Sequence, residues 1–507
     1  MKKKVIDYSN IKKVLKPLKK RGKKIVHCHG VFDLLHIGHI KHFESAKNFG
    51  DILIVTVTPD KFVDKGLSRP HFNSQQRIEG LASIETIDFV ILNKTSNAVD
   101  LIKKIKPDFY CKGLEYKSFK NDITGQIRNE FLAVKKNGGK LVYTNDPIYS
   151  SSSIINESAG IYNSLQKNFI NKVKTILNPK NFIQQITKLE NLKVLVLGET
   201  IIDKYVFCEA LGKSGKEPHL VLRNLNEEVY PGGVIAIARN LSDFCKKITV
   251  LSALGQNKEY EKYIKKILPK NIKTKFLYKT KSPTIIKKRY VEYVSMHKVL
   301  GVYTMNDGLL DKKDQLIFEK MLVKEIKKYD LVVVSDYGHG LVTKKMAKFL
   351  CKNSKFLALN AQANASSAGY HSIQKYKDVD CVVMNDAELR YELRDKNEKI
   401  EILMKKLTNM IMIRNLIVTR GSSGAILYNS IKKKYFNCPA FASKVVDKVG
   451  AGDSMLSVMS ILLKLKFQSI IALFLGSLAG ALSVGELSNK VPIGKKKLLK
   501  YLYHILK

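Results

Sequence analysis

His29-Gly30-Val31-Phe32-Asp33-Leu34-Leu35-His36-Ile37-Gly38-His39 follows the apolar run Lys24 to Cys28 and leads into a helical pattern through Lys41 to Lys47. The stretch therefore sits at a strand-to-helix turn. Outward from it, strand-like runs recur at Ile52 to Val57, Phe89 to Leu92, Phe109 to Cys111 and Lys140 to Tyr143, with helical patterns between them. Such alternation predicts an α/β domain, a parallel sheet covered by helices. A second series opens at Leu192-Lys193-Val194-Leu195-Val196-Leu197-Gly198, a buried strand ending in a glycine turn. It continues at Ile248 to Leu251, Leu331 to Val334, Phe356 to Leu359 and Leu416 to Thr419. This predicts a second α/β domain. The expected organisation is an N-terminal extension (1–21), a first domain (22–155), a polar helical connector (156–190) and a second domain (191–507).

A chain of 507 residues suits two or three domains, each with its own apolar interior. Its 45% apolar and 26% charged residues exclude a disordered or fibrous class. The net charge of +43 comes mainly from Lys spread along the whole length, as compositional bias produces. No segment gathers Arg, Lys and aromatics into a nucleic-acid module, so no nucleic-acid partner is expected. Anionic sugar phosphates and nucleotides are the small-molecule partners that such a charge attracts.

Cys28, Cys111, Cys208, Cys245, Cys351, Cys381 and Cys438 stand singly, without metal-ligand spacing, and read as reduced core residues. No apolar segment follows Met1-Lys2-Lys3-Lys4, which argues against a signal peptide. The longest uncharged stretch, Ile470 to Val484, falls short of the roughly 20 residues of a membrane span and predicts a buried helix. A cytoplasmic protein without a membrane partner is expected. Whether it forms a homo-oligomer is left open.

His36 and His39 are three apart on a helix and can project side by side, with Gly38 clearing space between them. A helix N-terminus offers free N–H groups to a polyphosphate, and two imidazoles there could hold an α-phosphate during in-line displacement of pyrophosphate. A bare H-x-x-H also suits a core or metal-binding pair. The whole run, however, resembles the G-x-F-D-x-x-H-x-G-H signature of the cytidylyltransferase-like nucleotidyltransferase superfamily.

That resemblance implies a Rossmann-like nucleotidyltransferase domain with His36, His39 and Lys65 as catalytic residues. Lys65-Gly66 with Arg69-Pro70 is similar to the family's phosphate-binding loop, and Arg77 matches the Arg that begins its next helix. Lys112-Gly113-Leu114-Glu115-Tyr116 resembles K-G-x-D-Y near the base, with Glu115 for Asp. Ser150-Ser151-Ser152-Ser153-Ile154-Ile155 resembles S-T-T-x-I-I, whose hydroxyls hold the triphosphate. Gly30, Phe32, Asp33, Gly38, Arg77, Gly113, Glu115, Ser150, Ser151 and Ser152 are thereby expected at the nucleotide.

The second domain carries Val449-Gly450-Ala451-Gly452-Asp453 ahead of a helical run, Ser454 to Leu465. Small residues at a helix start make an anion hole, and Asp453 could take a proton from an attacking hydroxyl or simply cap the helix. Asp447 to Asp453 resembles the D-T-x-G-A-G-D signature of the ribokinase or PfkB sugar kinases, with Lys448 for Thr. The resemblance implies a ribokinase-like α/β sandwich with Asp453 as catalytic base. It places Asn385, Glu388, Thr419, Gly421, Gly424, Gly450, Ala451 and Gly452 at nucleotide and phosphates, with Glu388 an indirect Mg²⁺ contact. Asp203, in a turn at Gly198 to Asp203, and Gly232 and Gly233 are implied at the sugar.

Both domains in one chain resemble the bifunctional heptose kinase and ADP-heptose synthase family of lipopolysaccharide precursor assembly, in reversed order. The implied function is phosphorylation of a sugar or sugar phosphate, then nucleotidyl transfer to the sugar 1-phosphate. Mg²⁺ and ATP are the implied cofactors, with CTP an alternative for the transferase. Ala236 replaces a family Asn, and Asn360-Ala361-Gln362-Ala363 replaces D-P-K-G. These departures support two alternatives, a different sugar or a kinase fold that only binds sugar beside an active transferase.

Overall fold

The computed structural model describes residues 4–63, 69–117, 126–145, 161–178, 182, 185–362 and 371–506. Lys65, Ser150, Ser151 and Ser152, with the side chain of Glu115, lie outside the described residues. The chain forms two compact units, 1–167 with 499–507 and 168–498.

In the first unit, the segment read as an extension carries α1 (Ile11–Lys20), whose Ile11 and Leu15 are buried with Ile25, Ile54, Ile91 and Leu101. The apolar runs form β1 (Ile25–Gly30), β2 (Ile52–Val57), β3 (Phe89–Leu92), β4 (Phe109–Gly113) and β5 (Lys140–Thr144). They pair in parallel in the order β3-β2-β1-β4-β5. One face packs Val26, Cys28, Val55 and Cys111 under Phe43 of α2 (Ile37–Lys47) and Ile78 of α3 (Ser74–Ala82). The other packs Tyr110 against Ile102 of α4 (Val99–Ile105) and Val134 of α5 (Gln126–Lys136). Strand order reverses at β1, and in open α/β sheets the carboxyl ends at such a switch point are where ligands bind. The His-rich run lies there because α2 begins just after β1.

The second unit builds its main sheet from β6 (Lys193–Gly198), β9 (Lys247–Gly255), β10 (Ile272–Lys279), β13 (Leu331–Asp336), β14 (Leu357–Ala361), β15 (Val379–Asn385), β16 (Ile413–Thr419), β17 (Ala425–Asn429) and β18 (Lys434–Cys438). Among the described residues this sheet has nine strands, in the order β10-β9-β6-β13-β14-β15-β16-β17-β18. Pairing is parallel up to β16, and β17 and β18 run antiparallel. Val194 to Gly198 are all buried, as continuous apolar strands covered on both faces must be. The helices Gly233–Ser242 and Ala451–Lys464 pack on one face, while Phe318, Leu350 and Leu403 of other helices fill the opposite one. β7 (Thr200–Lys213), β8 (Leu220–Gly232), β11 (Ile285–Glu292) and β12 (Lys298–Thr304) form a separate sheet, β12-β11-β7-β8. Both expected α/β architectures are present.

Residues 470–484 lie in a buried helix, Ser469–Val484, and among the described residues no helix is long and apolar enough to cross a membrane. Part of the stretch read as a connector is helical, Ser164–Ile176, and its Phe169 meets Phe441 and Phe474 in the second unit's core.

Candidate active sites

In the first unit Gly30 ends β1, and a Cβ there would stand 2.8 Å from the Phe32 ring, so glycine lets the loop fold back. Phe32 meets His39 edge-on with ring centroids 5.4 Å apart. His36 caps α2 and His39 follows one turn on, their rings stacked at 3.9 Å, with Gly38 buried between them. Burial lowers the His36 pKa, so this imidazole is neutral at pH 7 and carries one N–H donor. His39 N donates to the His36 carbonyl at 2.9 Å, so the amides ahead of it in α2, at Ile37 and Gly38, are the ones without intrahelical acceptors. Gly113 ends β4 and opens a short 3₁₀ turn, Leu114–Tyr116.

Two residues expected at the nucleotide are buried and bonded to other parts of the protein. Arg77 is buried, and its guanidinium donates to the carbonyls of Val31 (2.6 Å), Thr58 (2.9 Å) and Phe72 (3.0 Å) and to Asp60 (2.5 Å). With its donors used on protein acceptors, it ties the ends of β1 and β2 to α3. Asp33 is likewise buried, accepting from Phe72 N at 3.0 Å and pairing with Arg69 at 3.4 Å.

Two residues without an expected role stand at the strand ends. His29 meets Thr56 through Nδ1 at 2.8 Å and Thr58 through Nε2 at 3.3 Å, and burial holds its pKa down to about 4. Lys112 pairs with Glu130 at 3.2 Å and reaches the His29 carbonyl at 3.5 Å. Both lie in runs quoted above, but their meeting was not foreseen, because strand order alone brings β1 and β4 side by side.

In the second unit Asp203 lies within β7 and not in the expected turn, because the strand begins at Thr200. It is buried and ion-paired with Arg289 of β11. The di-glycine is needed for close approach: a Cβ on Gly232 would meet Asp203 Oδ2 at 2.6 Å. One on Gly233, whose φ is +55°, would meet the Glu199 carbonyl at 2.2 Å. Ala236, in the same helix, is fully buried.

Gly450, with φ +86°, caps the helix Ala451–Lys464, and Asp453 sits in its first turn, 5% exposed. The Tyr337 hydroxyl, from the loop after β13, lies 3.0 Å from both Asp453 carboxylate oxygens. Burial first, then the nearby Asp203 and Glu388, push Asp453 up to about 7, against the opposing Tyr337 hydrogen bond and Lys287. Asp203, Glu388, Lys287 and Tyr337 thus surround the expected base.

Asn385 and Glu388 close a reciprocal capping box, each backbone N–H 2.8 Å from the other's side-chain oxygen, and burial raises Glu388 to about 7. Thr419 is the register partner of Asn385, so the glycine loop begins beside this box. In that loop Arg420 N donates to the Gly424 carbonyl at 2.7 Å around the turn Gly421–Ser423, and Gly421 and Gly424 have φ of +55° and +83°.

Sequence reading gave no role to Tyr337, Lys287, Arg289, Glu199 or His339. The Glu199 carboxylate accepts from Tyr337 N (3.0 Å) and His339 N (3.2 Å), holding the loop in place. Both ring nitrogens of His339 and the Asn360 side-chain oxygen are buried without a hydrogen-bond partner among the described residues. A Cβ on Gly452 would lie 3.5 Å from Asn360 Nδ2, which sets Asn360 beside the glycine turn that opens the helix Ala451–Lys464.

Comparison with known proteins agrees with this division. Residues 191–493 match the family model for pfkB family carbohydrate kinases, and residues 27–158 match the cytidylyltransferase-like model. The Bifunctional protein HldE of Campylobacter jejuni (strain RM1221) is 27% identical over 300 residues, 59% of this chain and 62% of that protein. HldE of Aliarcobacter butzleri (strain RM4018) is 40% identical over 136 residues, 26% of this chain and 28% of that protein. The chain thus spans 62% of the length of the Campylobacter relative it matches. The crystal structure of phosphofructokinase-2 from Escherichia coli in complex with potassium shares the fold at TM-score 0.50 and 16% identity, covering 62% of this chain and 99% of that one. With more than half its length in the carbohydrate-kinase match, the chain belongs to the pfkB family of carbohydrate kinases.

Proposed function

We propose that the protein is a bifunctional enzyme that phosphorylates a sugar or sugar phosphate with ATP and transfers a nucleotidyl group to a sugar 1-phosphate, giving an NDP-sugar of the ADP-heptose kind. The observation that carries the kinase half is Asp453, a buried carboxyl with a pKa near neutrality beneath a glycine-rich helix start. Such a group can take the proton of an attacking hydroxyl, while helix-start amides stabilise the transferring charge. Asp203 and the di-glycine backbone orient the sugar. In the first unit, His36 and His39 bind the α-phosphate as charge builds on it.

The residues fit ATP with Mg²⁺: free helix-start amides suit phosphates, and Glu388 with the Asn360 oxygen, unpartnered among the described residues, offers acceptors nearby. When bound, Mg²⁺ supplies charge neutralisation at the phosphates. Glu388 and Asn385 would hold it indirectly.

The test is incubation with ATP or CTP and a panel of sugar phosphates. Pyrophosphate release reports the first unit and ADP formation the second. Pyrophosphate release without ADP formation from any sugar in the panel would favour the second reading, a kinase fold that only binds sugar, for which Ala236 and Asn360 speak.

The pH dependence follows from Asp453. Its pKa is raised and it must be ionised to act, so ADP formation at low sugar concentration should rise through about pH 7 and level off above it. Tyr337→Phe removes a hydrogen bond that favours the ionised form, so the acid limb should move to higher pH. A limb unmoved in that variant would show that Tyr337 does not act through Asp453.

A further inference from the structure

We propose that Cys28, His42 and Cys111 form a binding site for a thiophilic divalent ion, Zn²⁺ being the best fit. The inference is independent of the proposed reaction. Cys28 lies on β1, His42 on α2 and Cys111 on β4. Cys28 and Cys111 are register partners on neighbouring parallel strands, so both side chains point to the face that α2 covers. One ligand atom from each of the three residues lies within 4.8 Å of the others. Around a tetrahedral ion with thiolate and imidazole ligands those separations are about 3.5–3.8 Å, so a small closure of the cluster completes the geometry.

The surroundings suit a metal better than a bare thiolate. Cys28 and Cys111 are 0% and 1% exposed, among Val26, Val55 and Phe43. Binding releases two protons, and two thiolates with a neutral imidazole balance the charge of a divalent ion, leaving a neutral complex in an apolar shell. His42 Nδ1 is 2.7 Å from the buried Thr144 Oγ1. In the tautomer where the Thr144 hydroxyl accepts from Nδ1, Nε2 is the nitrogen able to ligate, the arrangement that orients metal-ligating histidines. Three protein ligands leave a fourth position for water.

The location gives the ion a task. His42 lies one turn beyond His39 on α2, so the metal would clamp α2, the helix that carries His36 and His39, to β1 and β4.

The full-length protein, stripped by chelation under reducing conditions, is titrated with Co²⁺ and then Zn²⁺. The expected result is one equivalent bound, with thiolate-to-cobalt absorption in the near ultraviolet and tetrahedral bands in the visible, both removed by Zn²⁺. Cys28→Ser combined with Cys111→Ser should abolish the thiolate band. Since that change is buried and can unfold the unit, Thr144→Val supplies a second variant that keeps all three ligands. It should weaken Co²⁺ binding about 10–100-fold. The proposal is overturned if Co²⁺ gives a thiolate-free octahedral spectrum, if the double variant retains the wild-type spectrum, or if intact mass shows a Cys28–Cys111 disulfide in freshly purified protein instead of metal.

Discussion

Asp453→Asn is expected to cut ADP formation by at least about 10²-fold while leaving pyrophosphate release unchanged. Asn has the same shape and still accepts from the Tyr337 hydroxyl, but it cannot take a proton from the sugar. Loss of fold is not the expected cause. Asp453 is buried near Asp203 and Glu388, which raise its pKa, so a neutral amide removes repulsion at that point. The measurement is a coupled ADP assay across the sugar-phosphate panel, with the pyrophosphate assay on the same preparation. Near wild-type ADP formation by the Asn variant would remove Asp453 as the base.

His39→Ala is expected to do the reverse, slowing pyrophosphate release by about 10²–10³-fold, some 3–4 kcal/mol of transition-state stabilisation, and sparing ADP formation. The effect belongs to the lost N–H donor and also to lost packing, because the His39 ring stacks on His36 and meets the edge of Phe32. His39→Gln keeps an amide donor and should recover part of the rate. Equal depression of both activities by His39→Ala or by Asp453→Asn, in a protein whose circular dichroism matches wild type, would show that two separate sites are the wrong picture.

The strands of the first unit and β6, β9, β13, β14 and β16 of the second were legible because a buried parallel strand needs a short continuous apolar run, a local property of the chain, whereas β10, β15, β17, β18 and the separate sheet were not foreseen. Lys193 to Gly198 and Ile52 to Val57 show it directly. The stacked His36 and His39 and the first-turn place of Asp453 were legible for a similar reason, since three-residue spacing and small residues at a helix start act within one turn. Arg77 shows where motif reading stops. Its position was foreseen, but its direction depends on carbonyls at Val31, Thr58 and Phe72 that fold around it.

Local pattern along the chain thus foretold the two α/β units and the helix starts at His36 and Gly450 with the glycines beside them. Only the tertiary structure decided what surrounds those groups. Tyr337 reaches Asp453 across 116 residues, Arg289 meets Asp203 across 86, and Cys28 meets Cys111 through the register of β1 and β4. Spacing along the chain carries no trace of such pairs, because strand order and register set them only once the sheets have formed.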